Sequence, residues 1–144
     1  MRAIVQRSQE SSVTVLGKVV GSIKSGLVVF VGFTQDDTIK DIEYIVDKII
    51  NLRIFDGTPE LSVKDLNGEI LAISQFTLYA NAKKGRRPSY IEALKNTEAI
   101  ELYNIFIDKL KESNLKIATG IFGADMLVNI KNDGPFTIIL DSKN

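Results

Sequence analysis

The chain has 144 residues, 44% of them hydrophobic, and its 18 basic residues balance its 18 acidic ones. It contains no cysteine and no histidine, which excludes disulfides, histidine-dependent catalytic triads, thiolate nucleophiles and metal sites built on either residue. The zero net charge argues against a broad surface that coats DNA or other nucleic acid, but it leaves a small local footprint open. Composition does not exclude carboxylate-bound magnesium.

Length and hydropathy predict one domain over residues 1–144 with no membrane partner. A chain of this size buries roughly two-thirds of its unfolded surface, so no second domain is needed. The longest apolar run, residues 27–31, is far too short to cross a bilayer. Residues 1–7 lack the apolar core of a secretory signal, so we expect a cytoplasmic protein.

The N-terminal part of the chain predicts strands. Residues 1–7 alternate imperfectly, as in a strand that is partly buried on both faces. Residues 12–16 and 19–23 flank Gly17-Lys18, a two-residue hairpin turn with glycine first. Residues 27–33 are apolar on both faces and rich in β-branched side chains, which predicts a central strand.

Two stretches have helical periodicity. The first covers residues 36–53, where Asp36, Asp37 and Thr38 supply a helix start. Its apolar residues fall on one stripe: Ile39, Ile42, Ile45, Val46, Ile49 and Ile50. The second runs from about Tyr90 to Ser113, with a break at Asn96 or Thr97. Its predicted buried stripe consists of Ile100, Tyr103, Ile107 and Leu110.

Further strands are predicted at residues 69–76, 116–120, 126–131 and 136–140, and a turn at residues 132–137 separates the last two. No repeat or linker divides the chain. The elements therefore predict a single α/β domain of the α+β type. Its core is a mixed, mostly antiparallel, barrel-like β-sheet with two main helices packed on it.

The predicted turn at residues 132–137 contains Gly134-Pro135. Proline cannot donate to a strand ladder, and glycine admits close backbone approaches. A cis bond here would present both carbonyls on a rigid surface free of side chains. These residues alone favour a trans turn, because only about 5–6% of X-Pro bonds in folded proteins are cis.

A polar cluster follows the apolar strand at residues 69–76. Ser74, Gln75 and Thr77 could orient a carbonyl or hydroxyl, and nearby backbone N–H groups could form an oxyanion pocket. Taken alone, these side chains are better explained as continuing the strand and forming hydrogen bonds with nearby backbone groups.

Two other segments suit a nucleotide. The loop at residues 83–89 carries four cations, whose guanidinium forks and ammonium groups bind phosphate, although charge runs are usually solvated. In residues 120–126, glycines and an alanine admit a ligand beside Phe122 and Met126, apolar surfaces against which a purine could lie. Such apolar residues are more often part of a core.

Four motifs in this order closely resemble the D-aminoacyl-tRNA deacylase family: SQFTLYA at 74–80, KGRRPSY at 84–90, FGADM at 122–126 and NDGPFT at 132–137. The segments MRAIVQRSQESSVTV and NLRIFDG also look like that family, so the likeness covers essentially the whole chain. The resemblance implies a homodimeric cytoplasmic enzyme with its active sites at the subunit interface. It would hydrolyse the ester that joins a D-amino acid, or glycine mischarged on tRNA-Ala, to the 3′-terminal adenosine of tRNA, without cofactor or metal.

The resemblance also assigns residues. Ser74, Gln75, Phe76 and Thr77 would be catalytic, and Gly134-Pro135 would be a Gly-cisPro motif that reaches into the other subunit, which reverses the trans preference. Its paired carbonyls would hold the substrate amine and leave no room for an L side chain, whereas glycine would escape this exclusion. The substrate-binding residues would be Arg86, Phe122, Gly123, Ala124, Met126, Asn132 and Thr137. Two departures from the family pattern are Phe136, where a valine is usual, and a shorter loop at residues 56–64.

The chemistry leaves alternatives. Backbone donors near Phe76 and Thr77 could stabilise an oxyanion while the ribose 2′-hydroxyl helps to activate water. Thr77 as a nucleophile is less favoured, because no general base is identified for it. A non-catalytic tRNA- or nucleotide-binding module is the main alternative function, and a metabolite-binding oligomer is a third.

Overall fold

The structure, a computed structural model, describes residues 1–143; Asn144, the last residue of the predicted domain, lies outside the described residues. The strands are β1 (Arg2–Ser8), β2 (Ser11–Val15), β3 (Lys18–Ile23), β4 (Gly26–Gly32), β5 (Glu69–Ser74), β6 (Lys116–Thr119), β7 (Leu127–Asn129) and β8 (Asn132–Asp141). The helices are α1 (Ile39–Asn51) and α2 (Asn96–Lys111), and a short 3₁₀ helix covers Phe76–Tyr79. None of the helices in residues 1–143 is both long and apolar enough to span a membrane.

The strands form two open sheets. The larger has the order β6-β5-β4-β1-β8, with β4, β5 and β6 parallel and β1 antiparallel to both β4 and β8. The smaller sheet is antiparallel, with the order β3-β2-β7. The prediction of a mixed, mostly antiparallel α+β domain with two helices is confirmed, but the sheets do not close into a barrel.

The larger sheet lies between the helices and the smaller sheet. On β4 and β5, alternate side chains enter two separate apolar clusters, as the two-residue period of a strand requires. Leu27, Val29, Ile70 and Ala72 belong to the cluster that contains the helices. Val28, Leu71 and Ile73 join Val13 and Ile23 of the smaller sheet. The prediction of a central strand at residues 27–33 is confirmed, because β4 is almost completely buried on both faces.

Both helices begin later than predicted. At α1, Thr38 and Asp41 form a capping box, so Asp36 and Asp37 lie before the helix. Ile39 is half-exposed in the first turn instead of buried. Helix α2 begins at Asn96, the predicted break, and Ile100 is also exposed. Buried side chains on the core faces include Ile42, Ile45, Ile49, Tyr103, Phe106, Ile107 and Leu110.

Two predicted turns are wrong. The hairpin between β2 and β3 turns at Leu16 and Gly17, both with positive φ (49° and 77°), not at Gly17-Lys18. Residues 132–137 lie inside β8, because β7 pairs with β2 in one sheet while β8 pairs with β1 in the other. Pro135 is tolerated there because β8 is an edge strand with an irregular register opposite residues 6–8.

Candidate active site

A cavity of about 260 Å³ lies at the carboxyl end of β5. Strands β5 and β6 are parallel and end at the same edge of the sheet, at Ser74 and Thr119. The segments that follow these strands therefore meet, as is usual for ligand sites in parallel sheets. The cavity is lined by Ile73, Ser74, Gln75, Phe76, Asn96, Phe122, Gly123, Ala124, Asp125, Met126 and Val128. Two segments predicted to carry chemistry, which are remote in sequence, thus form one site.

The 3₁₀ helix after β5 begins at Phe76, which lines the cavity, and has backbone donors in its first turn. Gln75 N–H donates to the Val31 carbonyl at 2.7 Å, and Leu78 N–H donates to the Gln75 carbonyl at 3.2 Å. Within residues 1–143, the N–H groups of Phe76 and Thr77 have no assigned acceptor, as expected for the first residues of a helix. They are available to an oxygen bound beside them.

The side chain of Thr77 is already engaged. Gln75 Nε2 donates to Thr77 Oγ1 at 2.5 Å, and Thr77 itself does not line the cavity. An amide cannot accept the proton that a nucleophilic hydroxyl must lose. This contact makes Thr77 a partner of Gln75 and gives no support to its activation as a nucleophile.

The apolar wall of the cavity is fixed from the core. The Phe122 ring packs against Tyr103 with 5.6 Å between ring centroids, and the Tyr103 hydroxyl donates to the Ala72 carbonyl on β5 at 3.0 Å. Burial raises the pKa of Tyr103 to about 12, so it stays protonated. On the other side of the sheet, Met126 packs against the cluster beneath the smaller sheet. Phe122 and Met126 are each partly buried and form a firm surface.

The sequence did not single out Asn96 and Asp125 as site residues. Asn96 was noted only as a helix break, and it reaches the cavity because it is the first residue of α2. Asp125 lies inside the FGADM motif, and this position was the feature of the sequence that could have identified it as a site residue. No group of three or more acidic side chains in residues 1–143 could hold a metal ion.

The Gly134-Pro135 segment lies elsewhere. Its peptide bond is cis, and both residues are exposed at the edge of the larger sheet. Strand β8 is three strands away from β5, or about 14 Å at the usual strand spacing. The segment also lies opposite residues 6–8 of β1, whereas Ser74 at the end of β5 is level with Ala3, a difference of about four residues or about 14 Å along the strand. Gly134 and Pro135 therefore do not line the cavity of their own chain.

Arg7 holds this segment, which the sequence did not reveal. It donates from Nη1 to the Ile54 carbonyl at 2.8 Å and from Nε to the Asp133 carbonyl at 3.3 Å. Its guanidinium lies 5.3 Å from the centre of the Phe136 ring. Only the pairing of β1 with β8 shows that Arg7 contacts this segment, because Arg7 and Asp133 are over 120 residues apart in the chain.

Asn132 and Thr137 brace the same segment from both ends. Asn132 Nδ2 donates to the carbonyls of Arg7 and Phe136, at 3.0 and 3.1 Å. Thr137 Oγ1 donates to Asn132 Oδ1 at 3.2 Å. These side chains, predicted to bind substrate, are used here in bonds across the Gly134-Pro135 segment.

The cationic loop lies beside the cavity. Asn81 and Ser89 close its base through two backbone hydrogen bonds of 2.8 and 2.9 Å. The ring of Tyr90, directly after the loop, packs edge to face on Phe76 with 5.2 Å between centroids. Arg86 is exposed and does not line the cavity, so it is placed to contact only parts of a ligand that extend outside.

Comparison with known proteins gives a consistent family. Residues 4–141 match the D-Tyr-tRNA(Tyr) deacylase family. The D-aminoacyl-tRNA deacylase of Aquifex aeolicus (strain VF5) is 60% identical, with 99% of each chain covered. That of Clostridium novyi (strain NT) is 56% identical, covering 99% of this chain and 98% of the relative.

Two solved structures have a similar fold. The structure named c-Myc DNA Unwinding Element Binding Protein has a TM-score of 0.91 at 42% identity, with 98% of each chain covered. A probable eukaryotic D-amino acid tRNA deacylase has a TM-score of 0.85 at 17% identity, covering 96% of this chain and 97% of that one; at this identity the likeness concerns the fold alone.

Proposed function

The chain belongs to the D-Tyr-tRNA(Tyr) deacylase family, and we propose that this hydrolase releases D-amino acids from D-aminoacyl-tRNA. The observation that carries the proposal is the cavity at the end of β5. It brings residues 74–76 together with the FGADM segment. The N–H groups of Phe76 and Thr77, at the start of the helix that follows, have no acceptor within residues 1–143. This combination suits an ester whose carbonyl oxygen becomes negative during hydrolysis.

The 3′-terminal adenosine of the tRNA is the part of the substrate that enters the cavity. Phe122 and Met126 offer a base an apolar, polarisable surface. Gly123 and Ala124, between them, have small side chains or none, so the nucleoside can approach the backbone. Ser74 and Gln75 also line the cavity, and the ester would lie beside them.

Hydrolysis then needs no side-chain nucleophile. Water adds to the ester carbonyl, the N–H groups of Phe76 and Thr77 stabilise the resulting oxyanion, and collapse of that intermediate releases the D-amino acid and the tRNA hydroxyl. The neighbouring ribose 2′-hydroxyl helps to activate the water from within the substrate. The hydrogen bond from Gln75 to Thr77 supports this assignment, because it holds Thr77 as a structural partner of the helix that carries the donors.

Chiral selection comes from a second subunit. We place Gly134-Pro135 of one chain at the cavity of its partner in an isologous homodimer. Two observations support this: the segment is remote from its own cavity, and its edge strand exposes large apolar side chains, with Ile139 73% and Phe136 37% accessible. The carbonyls of Gly134 and Pro135 would hold the substrate amine and exclude an L side chain. Glycine on tRNA-Ala has no side chain to exclude and would be hydrolysed.

The direct test is hydrolysis by the purified protein. We expect release of D-tyrosine from D-Tyr-tRNA and of glycine from glycyl-tRNA-Ala, with L-Tyr-tRNA left intact. Sedimentation should show a dimer. A protein that binds tRNA but releases no amino acid would instead be the non-catalytic binding module, which the cationic loop also suits. Full activity as a monomer would refute the cross-subunit arrangement.

Gly134→Ala tests the selection step. Gly134 has a φ of +122°, and an added Cβ would lie 2.9 Å from Phe136 N and 3.2 Å from Arg7 Nη2. The segment must shift to accept it, so we expect weaker rejection of L-Tyr-tRNA. Gly17→Ala is the control, because Gly17, in the turn between β2 and β3, also has positive φ (+77°) but has open space around it. Equal selectivity in both variants would contradict the role given to Gly134.

A further inference from the structure

An exposed apolar surface lies just outside the cavity. Tyr90 is 44% accessible and Ile91 85% accessible, and the Tyr90 ring touches Phe76, which lines the cavity. The backbone here is anchored, because Ala93 N–H donates to the Tyr90 carbonyl at 3.1 Å and Leu94 N–H donates to the Phe33 carbonyl at 2.9 Å. Tyr90 and Ile91 thus form a fixed surface that leads away from the cavity edge.

The cationic loop adjoins this surface. Lys83, Lys84, Arg86 and Arg87 are all exposed, and within residues 1–143 none of them forms an ion pair. A cavity of about 250 Å³ opens between Asn81, Lys83, Lys84, Arg87 and Ser89. Cations, an amide and a hydroxyl that converge on one cavity suit a phosphate group.

Charge complementarity indicates the kind of partner. Residues 81–91 contain no acidic residue, whereas the whole chain has zero net charge. The positive potential is therefore local, and it lies beside an exposed aromatic ring. Proteins that bind single-stranded nucleic acid combine these two features, because aromatic rings stack on bases while cations follow the phosphates.

We propose that Tyr90 and Ile91, together with the cationic loop at residues 83–89, bind the unpaired nucleotides that precede the terminal adenosine of the tRNA. The penultimate base stacks on Tyr90, and the phosphate beyond it enters the cavity at Lys83, Lys84 and Arg87. The inference rests on the proposed function and extends that site along the 3′ end. Under this inference the protein recognises the single-stranded 3′ end of the tRNA, and not only its aminoacylated terminal nucleotide.

Two minimal substrates test this surface: the D-tyrosyl ester of adenosine and the D-tyrosyl ester of the trinucleotide CCA. The informative quantity is the ratio of kcat/KM for the trinucleotide to kcat/KM for adenosine. We expect Tyr90→Ala to lower this ratio about tenfold, the scale of one base–aromatic stack. Tyr90→Phe keeps the ring and should keep the ratio. Tyr44→Ala, which removes an equally exposed tyrosine from α1 (46% accessible), should also keep it.

The loop is tested in the same way. Arg87→Ala should lower the ratio and reduce its dependence on salt, while Lys111→Ala, at the end of α2, should change neither. A parent protein with equal kcat/KM on both esters would overturn the inference and leave the proposed function intact. Equal losses on both esters in Tyr90→Ala would also overturn it, as would an altered oligomeric state in that variant. A parent protein that hydrolyses D-Tyr-tRNA but neither ester would overturn the inference alone, whereas one inactive on all three substrates would refute the proposed function, and this inference with it.

Discussion

Replacement of Arg7 by methionine removes a guanidinium while keeping a side chain of similar length. The Arg7 side chain is only 12% accessible, and its loss would leave the Ile54 and Asp133 carbonyls without these donors. A hydrogen bond from a charged donor contributes about 1.5–3 kcal/mol. The 2.8 Å bond to Ile54 should contribute its full free energy, and the longer 3.3 Å bond to Asp133 only part of it. With the contact on Phe136, we expect a loss of about 3 kcal/mol in the free energy of unfolding.

Urea denaturation at fixed protein concentration measures this loss, which should appear in thermal melting as a decrease of about 10 °C in Tm. The control is Arg53→Met, which removes the same charge from an exposed position and should stay within about 0.5 kcal/mol of the parent. Because Arg7 fixes the Gly134-Pro135 segment, its replacement should also lower the preference for D-Tyr-tRNA over L-Tyr-tRNA. If Arg7→Met unfolds like Arg53→Met and keeps full selectivity, the contacts of Arg7 contribute nothing of consequence.

Three further substitutions probe a helix cap, the support of the site and the cationic loop. Burial alone would raise the pKa of Asp41, but hydrogen bonds with Ser142, Thr38 and Lys143 lower it below its ordinary value of 3.8. The carboxylate therefore stabilises the fold above about pH 4, and this contribution is lost as the pH falls, so acid should destabilise Asp41→Asn less than the parent. Tyr103→Phe removes the bond to Ala72 and should cost about 1 kcal/mol in urea denaturation, whereas exposed Tyr44→Phe should cost almost nothing. Arg86→Ala should reduce the slope of substrate affinity against salt by about one unit with unchanged circular dichroism, and an identical slope would remove Arg86 from the tRNA contacts.

Periodicity predicted the elements whose burial is decided locally. The stripe from Ile42 to Ile49 and the apolar run of β4 determine a helix and a central strand regardless of what packs on them. Helix α2 was predicted six residues too early, because Tyr90, Ile91 and Leu94 also fit a helical spacing. Those residues are held by long-range bonds instead: Leu94 pairs with the Phe33 carbonyl, and Ala93 forms a bridge with Thr34.

Pairing between strands was the information that the sequence lacked. Residues 132–137 have the composition of a turn, and only the antiparallel pairing of β1 with β8 shows that they continue a strand. The same pairing brings Arg7 to Asp133. The meeting of residues 74–76 with residues 122–126 likewise depends on β5 and β6 being parallel neighbours. Family resemblance grouped these residues, whereas single-segment patterns left each of them ambiguous.

The cavity and the Gly134-Pro135 segment lie at opposite ends of the larger sheet. Under the proposed arrangement, each active site is assembled from two polypeptides. A substitution in the cavity and one in the Gly134-Pro135 segment can therefore be placed on different chains. Mixing a chain defective at Phe76 and Thr77 with one defective at Gly134 would then produce hybrid dimers. In each hybrid dimer, one of the two active sites combines an intact cavity with an intact Gly134-Pro135 segment. Such hybrids would recover up to half of the selective activity of the parent, whereas the first variant alone is inactive and the second alone discriminates poorly between D-Tyr-tRNA and L-Tyr-tRNA.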